Sequence, residues 1–232
     1  MLPPPRSPTA LTICLDLDEC LIHCSHDDAD APDFQELSGP EMARAKAADA
    51  RMHQRPGQRA ALAPPDHELE LPYVDGAVRV HRRPLLHDFL AEASKLGDLV
   101  LYSAAADSYA QAVAALLDES GELFGSRVLT RSHCTPMDAV FVKDLSRLGR
   151  PLERVVLIDD NIGSCMLQPD NAIPIRPFFG DPSDGELGAL VPLLRTLRDQ
   201  SDVRSRLRHT YRLQEKLLSG VRDMRGSSAA RL

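Results

Sequence analysis

The stretch that most constrains this chain is Ala10 to His23, ALTICLDLDECLIH. The run from Leu11 to Leu15 is short and almost wholly apolar, as suits a strand buried on both faces. It delivers Asp16 and Asp18, and a second apolar patch, Leu21 and Ile22, follows. On a continuing strand, two acids two residues apart project from one face and repel. A fold tolerates such a pair when a cation sits between the acids or when one of them carries a proton. Both conditions describe a metal-assisted nucleophile paired with a general acid, and such a site needs further groups from downstream.

The chain downstream alternates in pattern. Met1 to Pro8 is Pro-rich, and residues 1–9 read as a disordered tail. Ser25 to Pro65 is rich in Asp, Ala, Arg, Gln and Pro; it reads as a mobile polar insertion over about 27–66, with a short helix from Glu41 to about Met52. HELELPYV and AVRVH flank Asp75-Gly76, a pair preferred in type I′ turns, and predict a hairpin. Pro84 then opens a helix over LLHDFLAEASK that Gly97 closes, and Asp98 to Tyr102 is a strand. Asp107 caps a helix over SYAQAVAALLDES. Strands follow at Arg127–Thr130, Arg154–Ile158 and Ala172–Ile175. Ser183 or Asp184 caps ELGALVPLLRTLRD, and a basic helix runs from Asp202 to about Met224 before the end frays. Strand alternating with helix predicts an α/β fold whose parallel sheet carries helices on both faces. One catalytic domain over 10–206 and a C-terminal helix and tail over 207–232 account for the chain.

Composition narrows the function classes. At 232 residues, 43% hydrophobic and 26% charged, the sequence is ordinary for a soluble globular protein. A formal charge of -7 argues against broad binding to nucleic acid or an anionic membrane. No apolar run approaches the roughly 20 residues of a membrane span. No signal or transit pattern opens the sequence, so the expected location is intracellular and soluble, in nucleus or cytoplasm if the source is eukaryotic. Five cysteines (Cys14, Cys20, Cys24, Cys134 and Cys165) show neither a disulfide framework nor a CxxC pair. Cys20, His23, Cys24 and His26 lack the second ligand pair of a zinc site.

In a parallel sheet of this kind, ligands bind at the carboxyl ends of the strands. Each predicted strand end carries a polar group. Asp16 and Asp18 follow the first strand, Ser103 follows DLVLY, Asp159 and Asp160 follow RVVLI, and Lys143 sits in FVKDL. One Asp after a strand is most often a turn former; four acids, a hydroxyl and an ammonium at one edge are a site. Asp16 is the expected nucleophile. Asp18, once the chain leaves the strand, is the general acid and later the base that activates water. Ser103 hydrogen-bonds a phosphoryl oxygen, and Lys143 neutralises the nucleophile and the transferring group. Asp160 with Asp159 suits a hard cation, Mg2+ above all.

These residues resemble the haloacid dehalogenase superfamily, with DLDEC as its first motif. HRRPLLHDFL, LVLYSAAADSYA, FVKDLSRLGRPLERVVLIDDN, QPDNAIPI and FFGDPSDGELGALVPLL resemble more closely the small C-terminal-domain and Dullard-type phosphatases, from about Leu11 to Arg206. The resemblance implies a Rossmannoid fold, a phosphoserine/phosphothreonine protein phosphatase and an aspartyl-phosphate intermediate. It also implies a cation held by the Asp16 side chain, the Asp18 backbone carbonyl and Asp160. The sequence departs from that family at Cys20, where Thr is usual, at Asp160, where Asn is usual, and at Asn161-Ile162-Gly163, which replaces a Ser-Pro-Ala-like turn.

Forty residues separate Ser103 from Lys143, and a helix and a strand use them. The interval after the first motif shows a hairpin and a polar segment without a core. No cap domain is therefore expected, and an open site suits an extended phosphopeptide, such as a segment like the RNA polymerase II C-terminal tail. Two other readings remain open: a non-catalytic binding module on the same fold, and a small-molecule phosphatase, which needs a cap. Arg82 and Arg83 read either as an attractor for substrate phosphate or as a surface charge pair, and Tyr109 either as groove lining or as packing. Neither the oligomeric state nor the identity of the phosphoprotein is written in the sequence.

Overall fold

Strand β1 (Leu11–Leu15) is the axis of the molecule. In this computed structural model, which describes residues 1–7, 9–25, 64–71, 76–137 and 140–219, β1 pairs in parallel with β5 (Gly97–Tyr102) on one side and β9 (Val155–Asp159) on the other. The outer strands β6 (Val128–Leu129) and β10 (Ala172–Pro174) complete a parallel sheet of order β10-β9-β1-β5-β6. Every residue of β1, β5 and β9 is buried, which is why their sequences read as continuous apolar runs rather than alternating ones.

The two faces of the sheet bury different sets of side chains. Leu11, Ile13, Leu15, Leu99, Leu101, Val156 and Ile158 point into one core. There they meet α1 (Leu86–Leu96), α2 (Asp107–Leu117) and α3 (Glu186–Arg198), each of which offers an apolar stripe at helical spacing, such as Leu86, Phe89, Leu90 and Ala93. Cys14, Val100, Tyr102, Val155 and Leu157 point into the other core, closed by Leu2, Leu145, Leu148, Cys165 and Leu213. Leu145, Leu148 and Cys165 stand on single 3-10 turns, so this face is covered in large part by short turns rather than by long helices.

Helix α1 runs into β5 without a loop, and Gly97 makes that possible. A Cβ there would lie 2.4 Å from the Leu11 carbonyl oxygen of β1. Pro84 does not begin α1; Leu85, at φ 65, intervenes. Asp107 lies in the first turn of α2 and Ala106 precedes the helix; the Asp107 carboxylate instead accepts from the Thr130 hydroxyl at 2.5 Å. Asp184 accepts from the Glu186 amide at 3.0 Å and so serves the start of α3 as expected, although Gly185 is the residue that precedes it.

A second sheet of three strands sends Ile22, Val78 and Val80 into the first core. The expected hairpin joins β3 (His67–Glu70) to β4 (Ala77–Arg82), and β2 (Ile22–Ser25) adds a third antiparallel strand beside β4. The register pairs Glu70 with Ala77 and leaves residues 71–76 between the strands, so Asp75-Gly76 is not the two-residue turn that the sequence predicts; Asp75 itself lies outside the described residues, as do the 41–52 helix and most of the 27–66 insertion. A two-stranded ribbon, β7 (Thr135–Met137) with β8 (Val140–Val142), precedes Lys143.

The two ends of the chain engage the domain. The tail read as disordered holds Leu2 at 9% exposure, its amide bonded to the Leu148 carbonyl at 3.2 Å, and Arg6 paired with Asp98 at 2.8 Å. Helix α4 (Val203–Tyr211) buries Val203 and Leu207; Arg212, at φ 51, interrupts it before a further helical segment over 213–219. Arg204 and Arg208 of this basic stretch pair with Glu153 and Asp170, both at the foot of the sheet. No helix among the described residues is long and apolar enough to cross a membrane.

Candidate active site

The topology decides where the site forms. The strands after β1 turn to opposite sides of it, β5 to one and β9 to the other, which opens a crevice at their carboxyl ends. The Asp16 amide extends the ladder by one bond, to the Ile158 carbonyl at 2.9 Å, and so sets Asp16 beside Asp159. Beyond it the chain leaves the strand in a tight turn. The amides of Leu21 and Ile22 both reach back to the Leu17 carbonyl, the Glu19 amide bonds Ile22, and Glu19 takes φ 59. The two acids therefore do not project from one straight strand, and Asp18 sits on the turn.

Lys143 locks the centre. It follows β8, its own amide is bonded to the Ser164 carbonyl at 2.8 Å, and its side chain is 1% exposed. The ammonium donates to Asp16 Oδ1 at 2.5 Å and to Asp159 Oδ2 at 2.6 Å. Burial alone would discharge it, but Asp159 and Asp16 outweigh that, and the net shift is upward. Asp159 is itself pushed up, to about 7, by burial and by Asp16, against the pull of Lys143 and the Asn161 amide.

Carboxylate oxygens of Asp16, Asp159 and Asp160 lie within 4.8 Å of one another. Three carboxylates around one ammonium leave negative charge in a largely dry place. The donor set is all oxygen and anionic, which fits a small hard divalent cation and not a thiophilic one.

Ser103 follows the last residue of β5 at the same edge and is 1% exposed. Its Oγ accepts from the Ala105 amide at 3.0 Å, which leaves the hydroxyl hydrogen to donate to an incoming group. Cys20, where the resemblance leads one to expect Thr, is fully buried with Sγ 3.7 Å from the Ile158 carbonyl. Burial, together with Asp16, Asp160 and Asp159, holds it far above the usual thiol range, so it stays a neutral, weak donor.

The two arginines part company. Arg82 ends β4 opposite Ile22 of β2, its backbone amide bonded to the Asp66 carboxylate at 2.7 Å and its guanidinium to His67. Arg83 is 1% exposed and is a clamp. Its guanidinium forks onto Asp184 with two contacts of 2.8 Å, donates to the Cys20 carbonyl at 3.0 Å and to the Arg176 carbonyl at 2.8 Å, and stacks over Phe178 at 5.5 Å. The Phe178 amide in turn bonds the Glu19 carbonyl at 2.7 Å. The clamp thus fixes the turn that carries Asp18. Neither a phosphate attractor nor a surface pair describes Arg83, and nothing in the local sequence marks its partner, 101 residues away.

Tyr109, on the first turn of α2, is 4% exposed, and its hydroxyl donates to Asp18 Oδ1 at 2.5 Å. Residue spacing gave no sign of this bond, since the two positions lie 91 apart in the sequence.

Comparison with known proteins agrees with this geometry. The family model described as NLI interacting factor-like phosphatase matches residues 11–204. CTD nuclear envelope phosphatase 1B of Danio rerio is 37% identical over 206 residues, 87% of this chain and 74% of the relative. CTD small phosphatase-like protein of Homo sapiens is 33% identical over 195 residues, 84% of this chain and 59% of the relative. Among solved structures, Fcp1, titled an essential RNA polymerase II CTD phosphatase, aligns with a TM-score of 0.51 at 23% identity. That alignment covers 86% of this chain and 53% of the solved one, and it is a likeness of fold.

Proposed function

The chain belongs to the NLI interacting factor-like phosphatase family, and from that premise we propose a Mg2+-dependent phosphatase of phosphoserine and phosphothreonine in extended protein segments. The observation that carries the reading is Lys143, buried and bonded at once to Asp16 and Asp159 at the carboxyl edge of the sheet. An ammonium in that position engages one Asp16 oxygen, and the other is the nucleophile in this reading.

The reaction then runs in two halves. Asp16 attacks phosphorus; the new bond is carboxylate oxygen to phosphorus, and the bond that breaks is phosphorus to the seryl oxygen. Asp18 gives its proton to that leaving oxygen. In the second half Asp18 takes a proton from water as the water attacks the phosphorus of the aspartyl-phosphate, and Asp16 is released. The Ser103 hydroxyl and the Lys143 ammonium hold the phosphoryl oxygens and offset the charge that gathers on them. Asp16, Asp160 and Asp159, with the Asp18 carbonyl, would hold Mg2+, which when bound neutralises charge between the carboxylates and the phosphate.

Substrates of this kind bring their own bulk into an open crevice. A segment like the RNA polymerase II C-terminal tail is one example, supported by the names of the relatives. The same reading places the protein inside the cell, in keeping with cysteines that are all free.

Phosphate release from a phosphoserine peptide and from p-nitrophenyl phosphate, with Mg2+ and with EDTA, tests the proposal. Turnover that requires Mg2+ and disappears in Asp16→Asn supports it. A wild-type protein that releases no phosphate at saturating Mg2+ overturns it in favour of a binding module.

A further inference from the structure

Asp18 needs more than the right chemistry; it needs an aim. Its backbone is fixed by the turn from Leu17 to Ile22 and by the Arg83 clamp beneath it. Neither constraint reaches the carboxyl torsion. The hydroxyl of Tyr109 does, at 2.5 Å from Asp18 Oδ1 and 2.9 Å from Cys24 Sγ on β2. A phenol has one hydrogen, and a carboxylate is a far better acceptor than a thiol, so the hydrogen points at Asp18. Burial, with Asp18 and Cys24 beside it, raises Tyr109 well above the ordinary phenol range, so it stays a donor. The ring is held in turn by the core of α2, where Ala110 and Val113 are fully buried.

We propose that Tyr109 is a positioning residue for proton transfer: by holding Oδ1, it turns Asp18 so that Oδ2 carries the proton delivered to the leaving oxygen. The inference rests on the phosphatase reading. In the first half of the reaction the electron pair of the breaking phosphorus–oxygen bond stays on the seryl oxygen, which takes the proton from Oδ2. Asp18 is left as a carboxylate and regains the proton from water in the second half. A role confined to packing would affect every substrate alike. A role in aiming the proton affects only substrates whose leaving oxygen needs one: seryl alkoxide needs it, nitrophenolate does not.

The test is Tyr109→Phe, which keeps the ring and removes the hydroxyl. The measured quantity is kcat/KM, which reports the first half of the reaction, on a phosphoserine peptide and on p-nitrophenyl phosphate with Mg2+ present. General acids contribute on the order of 10²–10⁴ in rate, and a mis-aimed one forfeits part of that. The ratio of kcat/KM for peptide to kcat/KM for aryl phosphate is expected to fall at least about tenfold, with Asp18→Asn moving it further in the same direction. A ratio that does not change overturns the inference, whether both rates persist or both collapse. A wild-type protein inactive on both substrates overturns the phosphatase reading and this assignment with it, whereas an active wild type with an unchanged ratio in the variant overturns this assignment alone.

Discussion

Replacing Lys143 with Met keeps most of the side-chain volume and removes the charge that holds the site together. In the native protein the ammonium is 1% exposed and lies 2.5 Å from Asp16 and 2.6 Å from Asp159. Removing one partner of a buried charge pair typically costs about 3–5 kcal/mol, because the other partner is left buried and uncompensated. For a chain of this size each kcal/mol moves the melting temperature by roughly 2–4 °C, so the variant should melt about 6–20 °C lower near pH 8. The loss should depend on pH. Asp159 already stands near 7 with Lys143 present, and without it burial and Asp16 push it higher. A carboxylate raised in the folded state binds its proton more tightly there than in the unfolded chain. Its contribution is fully present below the ordinary value of 3.8 and is lost as pH rises through the folded value. At pH 5 Asp159 in the variant takes up a proton and the gap to wild type narrows; at pH 8 it stays wide. Urea unfolding of both proteins at pH 5, 6.5 and 8, with EDTA throughout, measures this. A gap under about 1 kcal/mol at pH 8, or one equal at pH 5 and pH 8, would refute the claim that Lys143 is there to balance the buried carboxylates.

Two further outcomes follow from neighbouring contacts. Arg83→Lys removes the fork that holds Asp184 and the reach to the Cys20 and Arg176 carbonyls; it should lose about 3 kcal/mol or more in urea unfolding despite keeping its charge, and a loss under about 1 kcal/mol would show that charge alone suffices. Cys20→Thr exchanges a weak thiol donor for a hydroxyl facing the Ile158 carbonyl; thermal melting should rise by the equivalent of about 0.5–1 kcal/mol with phosphatase turnover equal or higher, and a lower melting temperature would show that the larger sulfur is needed to fill the space.

Much of the sheet was legible in the sequence, because strands buried on both faces leave unbroken apolar runs and the acids that follow them fall at one edge. Asp16, Asp18, Asp159 and Asp160 could be placed on that logic. Lys143 was counted with them from its place in FVKDL, although β8, the three-residue strand that delivers it, has no periodicity of its own. β2 was missed because it is only four residues long, follows directly on the Asp18 turn, and pairs with β4 across the insertion. Arg83 was misjudged as a phosphate attractor or a surface charge, and Tyr109, left between groove lining and packing, is buried in the core; the bonds that define the two residues reach 101 and 91 residues away. Local pattern reports burial well and reports partners across the fold poorly. The same limit explains Leu2, whose place in the second core depends on Leu145, Leu148 and Leu213.

The two acids of the first motif, so close in sequence, are held in place by different means. Asp16 is continuous with a strand laddered on both sides, so its amide should exchange with solvent only when the whole sheet opens. Asp18 has no such ladder: its turn is held by the Arg83 guanidinium on the Cys20 carbonyl, and its carboxyl by the Tyr109 hydroxyl on Oδ1. The nucleophile is therefore an anvil cut from the sheet itself, while the acid is a stone set by prongs from distant elements, and loosening one prong disturbs the acid without moving the anvil.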